Sequence, residues 1–400
     1  MEAKRNVVLP RSKKYVFTAI IMATALVLFE AGARIIFFTT NGFNPYYLTY
    51  GFAPDVEWNA NQQNGYTKFF PNTTRHMMVR GRVTGMNINS SGFRSRHDFL
   101  NPKPPGVLRI ATLGGSSTFG YEDEDQETYP YLLEQTLRTW YPGRRIEVLN
   151  LGIPQLRMEN ILALAATELP SLQPDLITFY EGYNDAMMPK RRSDAGIVYR
   201  VKDWFYFHSV GWRVVHSRIR AVYMRVTGWL NRDLISTHGL DLPITLDRTR
   251  VEVVRSTMRR EFAGQLAQLA DLAARLNATL ILVTQTMTWH NVNEISPWPT
   301  YEGEVAAIAR QYDHDGVLSA HDAVLLAHAD LQTELRALAA ARALPVVDGI
   351  RLLDVDRRAN MASMVHLTPT GNQRLAMGIA DAIAHLPVTR SNLTAERDAP

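Results

Sequence analysis

The chain contains no cysteine. Disulfides and thiolate metal sites are therefore excluded, and cysteine usage says nothing about the compartment. No internal repeat is present, which argues against solenoid and propeller arrays. The bulk of the chain also lacks net charge. The formal +4 is accounted for by the first fourteen residues, where Lys4, Arg5, Arg11, Lys13 and Lys14 stand against Glu2 alone. The excess is a tail rather than a patch on a fold, so nucleic acid is not an expected partner. What is present is length and apolar content. Four hundred residues, 46% of them hydrophobic, suffice for one large domain with additions or for two domains.

Charge is missing again over residues 15–29, and the apolar character runs on to Phe38, broken only by Glu30 and Arg34. Four apart on a helix, those two can pair. A helix over 15–38 would be about 36 Å long, enough for a hydrocarbon core of roughly 30 Å. Ala31-Gly32-Ala33 imitates a cleavage site, so a removed signal peptide is one alternative and a buried soluble helix another. The expectation is an uncleaved anchor at 15–38. The basic tail at 1–14 then lies in the cytoplasm and the rest outside, a single pass through the inner (plasma) membrane with the main domain in the periplasm.

Residues 109–120 read R-I-A-T-L-G-G-S-S-T-F-G. The first half is a buried strand by pattern. Gly114 and Gly115 suit a sharp turn, and a serine there lies at the carboxyl edge of the sheet, near a helix N-terminus. A Walker loop is excluded because no lysine follows Gly120. A G-x-S-x-G elbow is excluded because Thr118 stands where the second glycine belongs. A structural Gly/Ser turn and a nucleophile on another α/β scaffold remain.

Residues 39–106 mix loops and short strands and are expected to pack on the main domain at 107–388. M-N-I-N-S-S-G-F at 86–93 alternates and then turns. Strands are expected at 108–113, 145–149, 175–180, 279–284 and 344–347. Helices are expected at 129–140, 159–169 and 251–276, from about 329, and from Pro369. Strands alternating with helices imply a parallel sheet covered on both faces. The last residues, 389–400, are a polar flexible tail.

An insertion at 189–250 is basic. Between 190 and 232 it carries ten Lys and Arg against two Asp. Trp204, Phe207, Gly211, Val215, Ile219, Val222, Val226 and Trp229 form an apolar helical stripe, with Arg213, Arg218, Arg220 and Arg225 off it. A packed helix with a solvated arginine face is the plain reading. A membrane-surface helix over 204–230, or a lid, is the functional one.

The strand ends converge on one edge. Ser116 follows the first strand, Gly152 the second, Asn184 the third, and His366, in M-V-H-L-T-P-T-G-N, the fifth. A nucleophilic serine needs a base, here His366. It also needs donors for an oxyanion, here the Ser116 and Gly152 N–H groups and the Asn184 amide. Glycine at 152 is expected to let substrate approach the backbone.

This set resembles the SGNH, or GDSL-like, hydrolase family of the membrane-anchored bacterial type. Residues 113–120 look like its first block, 150–152 its second, G-Y-N-D at 182–185 its third, and His366 the histidine of its fifth. N-S-S-G-F-R at 89–94 is similar to membrane-anchored members. The resemblance covers about 108–185 and 344–380. It implies a flavodoxin-like three-layer α/β/α sandwich with a five-stranded parallel sheet, behind an N-terminal transmembrane helix. It also implies ester or acyl chemistry with no cofactor and no metal.

Two positions depart from the family pattern. Gly115 stands where Asp is usual in the first block. Ser363 stands where D-x-x-H would put the acid that orients the imidazole. Asp354, Asp356 or a backbone carbonyl is expected to replace it. His290, His314, His321 and His328 are rivals for the base. His290 reads as a loop residue, and the other three, seven apart in an acidic stretch at 312–330, read as a solvated helix. The acids Glu122, Asp123, Glu124, Asp125 and Glu127 read as a solvated charge run.

The function expected is a membrane-anchored extracytoplasmic serine esterase, with a small-molecule or polysaccharide acyl ester as substrate. Surface-polysaccharide O-acyl groups follow from the resemblance alone. The alternatives are an O-acyltransferase using the same residues and an inactive binding or assembly protein.

Overall fold

A computed structural model of the chain describes residues 10–40, 65–69, 71–79, 82–187, 209–212, 214–215, 218, 245–288 and 300–386. His290, most of the 189–250 insertion and the 389–400 tail lie outside the described residues. The chain divides into two units. One is Met1–Asp55 with Arg191–Leu242, the other Val56–Lys190 with Pro243–Pro400.

In the first unit, helix α1 spans Arg11–Thr40. Its segment Arg11–Ile36 has a mean hydropathy of 2.0 and is long and apolar enough to cross a membrane. A soluble helix buries one apolar stripe, whereas Ile20 and Leu26, at 56% and 66% exposed, are left uncovered here. A core helix of a soluble protein or an N-terminal signal sequence can meet the same criterion of length and hydropathy. Glu30 and Arg34 pair as their spacing predicts, at 2.7 Å. Glu30 also accepts hydrogen bonds from Ser209 Oγ and from the N–H groups of Val210 and Gly211.

The second unit begins with a hairpin, β1 (Thr73–Val79) and β2 (Arg82–Ile88), paired from Thr73↔Ile88 to Val79↔Arg82. The turn expected at 89–93 follows at once. Asn89 Oδ1 accepts from the N–H groups of Ser91 and Phe93, and Gly92 takes φ 79°, a conformation open chiefly to glycine.

The α/β part then runs as follows: β3 (Val107–Gly114), α2 (Ser116–Phe119), α3 (Tyr129–Trp140), β4 (Arg145–Asn150), α4 (Met158–Leu172), β5 (Leu176–Tyr180) and α5 (Tyr183–Met187). After the insertion come β6 (Thr245–Asp247), α6 (Arg248–Arg275), β7 (Thr279–Val283), α7 (Tyr301–Asp315), β8 (Val317–Ser319) and α8 (Ala320–Arg342). The described chain closes with β9 (Val346–Val347), α9 (Gly349–Asp354), α10 (Arg357–Asn360) and α11 (Pro369–Ala384).

The main sheet has the order β4-β3-β5-β7-β9, and all its pairings are parallel. That is the flavodoxin-like order, with helices on both faces. Side chains alternate between two cores. Leu113, Ile177, Phe179, Leu280 and Leu282 face Leu164, Phe262, Leu266 and Leu331 of α4, α6 and α8. Ile110, Leu176, Tyr180, Ile281 and Val283 face Leu133 and Leu137 of α3 and Leu375 and Ile379 of α11. Burial on both sides explains why the strands read as continuous apolar runs.

Three expected boundaries move. The last strand is only Val346–Val347, at the sheet edge. Residues 245–250, expected in the insertion, form β6 and the start of α6, with β6 paired antiparallel to β8. The stretch 312–330, expected as one solvated helix, is two helices broken by β8. His328 is fully buried, because α8 begins early enough to carry it into the core.

Arg109 is a charge inside β3 and has no exposed surface. Its Nε donates to Glu147 Oε2 at 2.7 Å, and its Nη atoms donate to the Leu172 and Leu100 carbonyls at 2.6 Å each. Arg109→Met keeps the stem but leaves those acceptors unpaired. Urea unfolding should report a loss of about 3 kcal/mol.

Candidate active site

Ser116 opens α2, directly after the β3 turn. Phe119 N–H donates to Gly115 O and Gly120 N–H to Ser116 O, at 3.0 and 2.9 Å. Gly120 ends the helix at φ 78°, the left-handed cap that favours glycine. Ser117 Oγ donates to Val365 O at 2.8 Å, across 248 residues of chain. That bond ties the serine turn to the loop that carries His366. The loop is fixed by Ala362 N–H to His366 O at 2.7 Å and by Thr368, whose Oγ1 accepts from Gly371 N–H at the start of α11.

Ser116 Oγ lies 2.8 Å from His366 Nε2. On the other side of the ring, Nδ1 lies 2.8 Å from Glu122 Oε1 and 2.9 Å from Ser363 Oγ. A carboxylate only accepts, so Nδ1 carries the ring hydrogen and Nε2 is left as an acceptor toward Ser116. Both partners are mostly covered, His366 with 19% and Glu122 with 16% of the side chain exposed. Tyr121 stacks on the imidazole at 5.7 Å between centroids.

The carboxylate beside His366 is thus neither of the two expected. Asp354 Oδ2 accepts from Tyr301 N–H, and Asp356 Oδ1 caps α10 by accepting from Ala359 N–H. Nor is the acidic run a solvated stretch, since Asp123 and Asp125 are buried. The turn at Gly120 folds the run back over α2, which brings Glu122 to the sheet edge. The available sequence signal was an acid six residues past the serine, hidden among like-charged neighbours.

Gly152 and Asn184 stand at the neighbouring strand ends. Gly152 N–H donates to Asn150 Oδ1 at 3.0 Å, so it is engaged rather than free. A Cβ at 152 would strike the backbone of Thr118 and Phe119. Close packing of α2, not substrate approach, is what requires glycine there. Asn184 is 4% exposed, and its Nδ2 gives one hydrogen to Leu156 O at 3.0 Å. The second amide hydrogen is not used in that bond.

Glu181 was not singled out by sequence reasoning. Its carboxylate accepts from the N–H groups of Gly115, Gly182 and Asn184 at 2.8, 3.1 and 3.0 Å. A Cβ on Gly115 would meet this carboxylate and the Asn184 amide. An aspartate at 115 has no room here, because an acid from the β5 end already fills the space. Burial pushes the Glu181 carboxyl up to about 7. The last motif residue, Asp185, accepts from Met158 N–H at 2.9 Å and so caps α4 from a distance. Burial raises it to about 7 as well.

His328 lies behind this loop, bonded through Nδ1 to Tyr301 Oη at 2.7 Å. Burial lowers it to about 3, which keeps it neutral and makes it a core histidine rather than a base. Among the described residues, no group of three or more His, Asp or Glu is placed to hold a metal ion.

The parallel sheet order, the four blocks at one edge and the serine–histidine contact agree. The chain has a flavodoxin-like three-layer α/β/α fold with a five-stranded parallel sheet. No family model matches the sequence, and no curated protein matches it. Solved structures similar to this chain include the lipase/acylhydrolase from Enterococcus faecalis, at 15% identity and a TM-score of 0.38, covering 69% of this chain and 94% of that one. Others are an acetyl xylan esterase from Geobacillus stearothermophilus (14%, 0.38, 69% and 94%) and a member of the lipolytic G-D-S-L family from Veillonella parvula (14%, 0.37, 70% and 100%). At these identities and TM-scores the likenesses say nothing of chemistry.

The raised carboxyl of Asp185 gives a signed pH dependence. Its folded pKa, about 7, lies above the ordinary aspartate value of 3.8. Between those limits the folded chain holds a proton that the unfolded chain has lost, so this contribution falls as pH rises. Asp185→Asn should therefore flatten the decline of unfolding stability between about pH 4 and 7, by on the order of 1 kcal/mol per pH unit. A slope equal to that of the unmutated chain would contradict the assignment.

Proposed function

We propose that the chain is a membrane-anchored serine esterase that cleaves acyl esters outside the cytoplasm. One observation carries the reading: the run of contacts Ser116 Oγ–His366 Nε2 and His366 Nδ1–Glu122 Oε1, 2.8 Å at each step. That is the arrangement a hydroxyl needs to lose its proton as it attacks.

Ser116 Oγ bonds to the ester carbonyl carbon while its proton passes to His366 Nε2. Glu122 faces the resulting imidazolium and offsets its charge. The carbonyl oxygen becomes an oxyanion. Its donors are the Ser116 N–H, which has no acceptor within α2, and the second amide hydrogen of Asn184. Gly152 N–H joins them when the oxyanion draws it from Asn150 Oδ1. Collapse of the intermediate breaks the bond to the alcohol, which takes its proton from His366. Water, deprotonated by the same imidazole, then attacks the acyl-Ser116 ester and frees the acid and the hydroxyl. Glu122 also supports activity against the inactive alternative, since it supplies the acid that Ser363 cannot.

The substrate class is an O-acyl ester, with acyl groups of surface polysaccharide as the proposed natural form. The apolar length of α1 and the cations ahead of it support an uncleaved anchor with the catalytic unit in the periplasm. A C-terminal reporter active only in the periplasm should give signal; signal confined to a cytoplasmic reporter reverses the orientation.

The detergent-solubilised chain should hydrolyse an activated acetyl ester and take up a fluorophosphonate probe. Ser116→Ala should do neither, and equal labelling of both proteins would remove the proposal. Asn184→Ala should cost about 10²–10³ in kcat. Glu122→Gln should cost about 10²–10⁴ with the probe site intact.

A further inference from the structure

The motif at 89–94 ends in Arg94, and the reaction above makes no direct use of it. Arg94 is 3% exposed. Its side chain runs from the end of the turn that follows β2 into the loop between α2 and α3. Nε donates to Asp125 Oδ1 at 2.9 Å. Nη1 donates to Phe119 O at 3.0 Å and also to Gly120 O. Nη2 donates to Asp123 O at 2.6 Å and to Gly85 O at 3.4 Å. The guanidinium plane lies over the Phe119 ring, 4.9 Å from its centroid. Three carbonyls and one carboxylate of a single short loop thus converge on one cation. Glu122 sits inside that loop, between the carbonyls of Gly120 and Asp123.

The motif also explains how the arginine is aimed. Asn89 N–H donates to Phe93 O at 2.9 Å, closing the turn, and Ile88 bridges to Arg94. Phe93 has no exposed surface and anchors the turn in the core. Lysine offers three donors from a point and could not reach four acceptors spread over seven residues. On its far side the loop is held by Asn372 Nδ2, which donates to Asp123 Oδ2 at 2.8 Å.

We propose that Arg94 is a positioning residue, and that its clamp on the 119–125 loop is what fixes Glu122 against His366 Nδ1. The inference rests on the esterase reading and adds to it a role for the segment before the α/β unit. That segment is part of the catalytic apparatus rather than a covering.

A double-mutant cycle on the full chain in detergent tests this, with kcat and KM measured on an activated acetyl ester. Arg94→Lys keeps the charge and loses the fork. It should lower kcat about ten- to a hundredfold and leave KM within about twofold. In a Glu122→Gln background, the same Arg94→Lys change should cost less than about twofold, because the residue it positions is already disabled. Equal losses in both backgrounds, or a loss confined to KM, overturn the proposal. Should Arg94→Lys fail to fold, Asp125→Asn weakens the same clamp from the acceptor side and carries the same pair of expectations. Activity that survives Ser116→Ala sinks the esterase reading itself, whereas additive losses with Ser116→Ala inactive sink only the clamp.

Discussion

Five strands running in one direction deliver five carboxyl ends to one edge, and every feature of the site follows from that constraint. Antiparallel neighbours would send alternate strand ends to opposite sides. Here β3, β4 and β5 lead directly to Ser116, Gly152 and Asn184. The chain beyond β9 brings His366 to the same edge, across 250 residues from the serine. The arrangement requires both faces of the sheet to be covered. That is why β3 is buried at every position and why an arginine within it must be neutralised on the spot.

Two acids stand away from their usual sequence positions while the electrostatics remain. In the proposed reaction the imidazole accepts a proton, and an anion at its other nitrogen offsets that charge whichever segment supplies it. At 363 there is a serine, and Glu122 places a carboxylate at the same ring nitrogen that this serine contacts. The glycine at 115 follows the same logic. The Glu181 carboxylate gathers three N–H groups there, and a second acid would meet both its bulk and its charge.

Buried guanidinium groups recur as ties between segments far apart in sequence. Arg109 joins β3 to β4, to the end of α4 and to the loop before β3. Arg94 joins the turn after β2 to the loop past α2. Replacing a whole buried ion pair by apolar residues is often neutral, whereas removing the arginine alone leaves its acceptors unpaired. What the planar fork adds is direction, with several carbonyls held at fixed angles to one another. In a loop rich in acids the fork also sets which carboxylates turn inward and which one is left to face the ring.

Much of this was legible in the residues alone. The strand and helix order, the start of α3 at Tyr129, the serine at the first turn and the histidine ahead of Pro369 all follow from patterns a few residues long. Hydrophobic period, glycine turns and proline caps are local, so the sequence by itself determined them. It also determined that α1 is apolar enough for a bilayer. The partner of His366 was decided only by tertiary structure, as were the burial of His328 and the engagement of Gly152 with Asn150. Each of these depends on where a backbone is aimed by groups dozens to hundreds of residues away. A run of five acids looks uniform in sequence, and only its three-dimensional neighbours make one of them different.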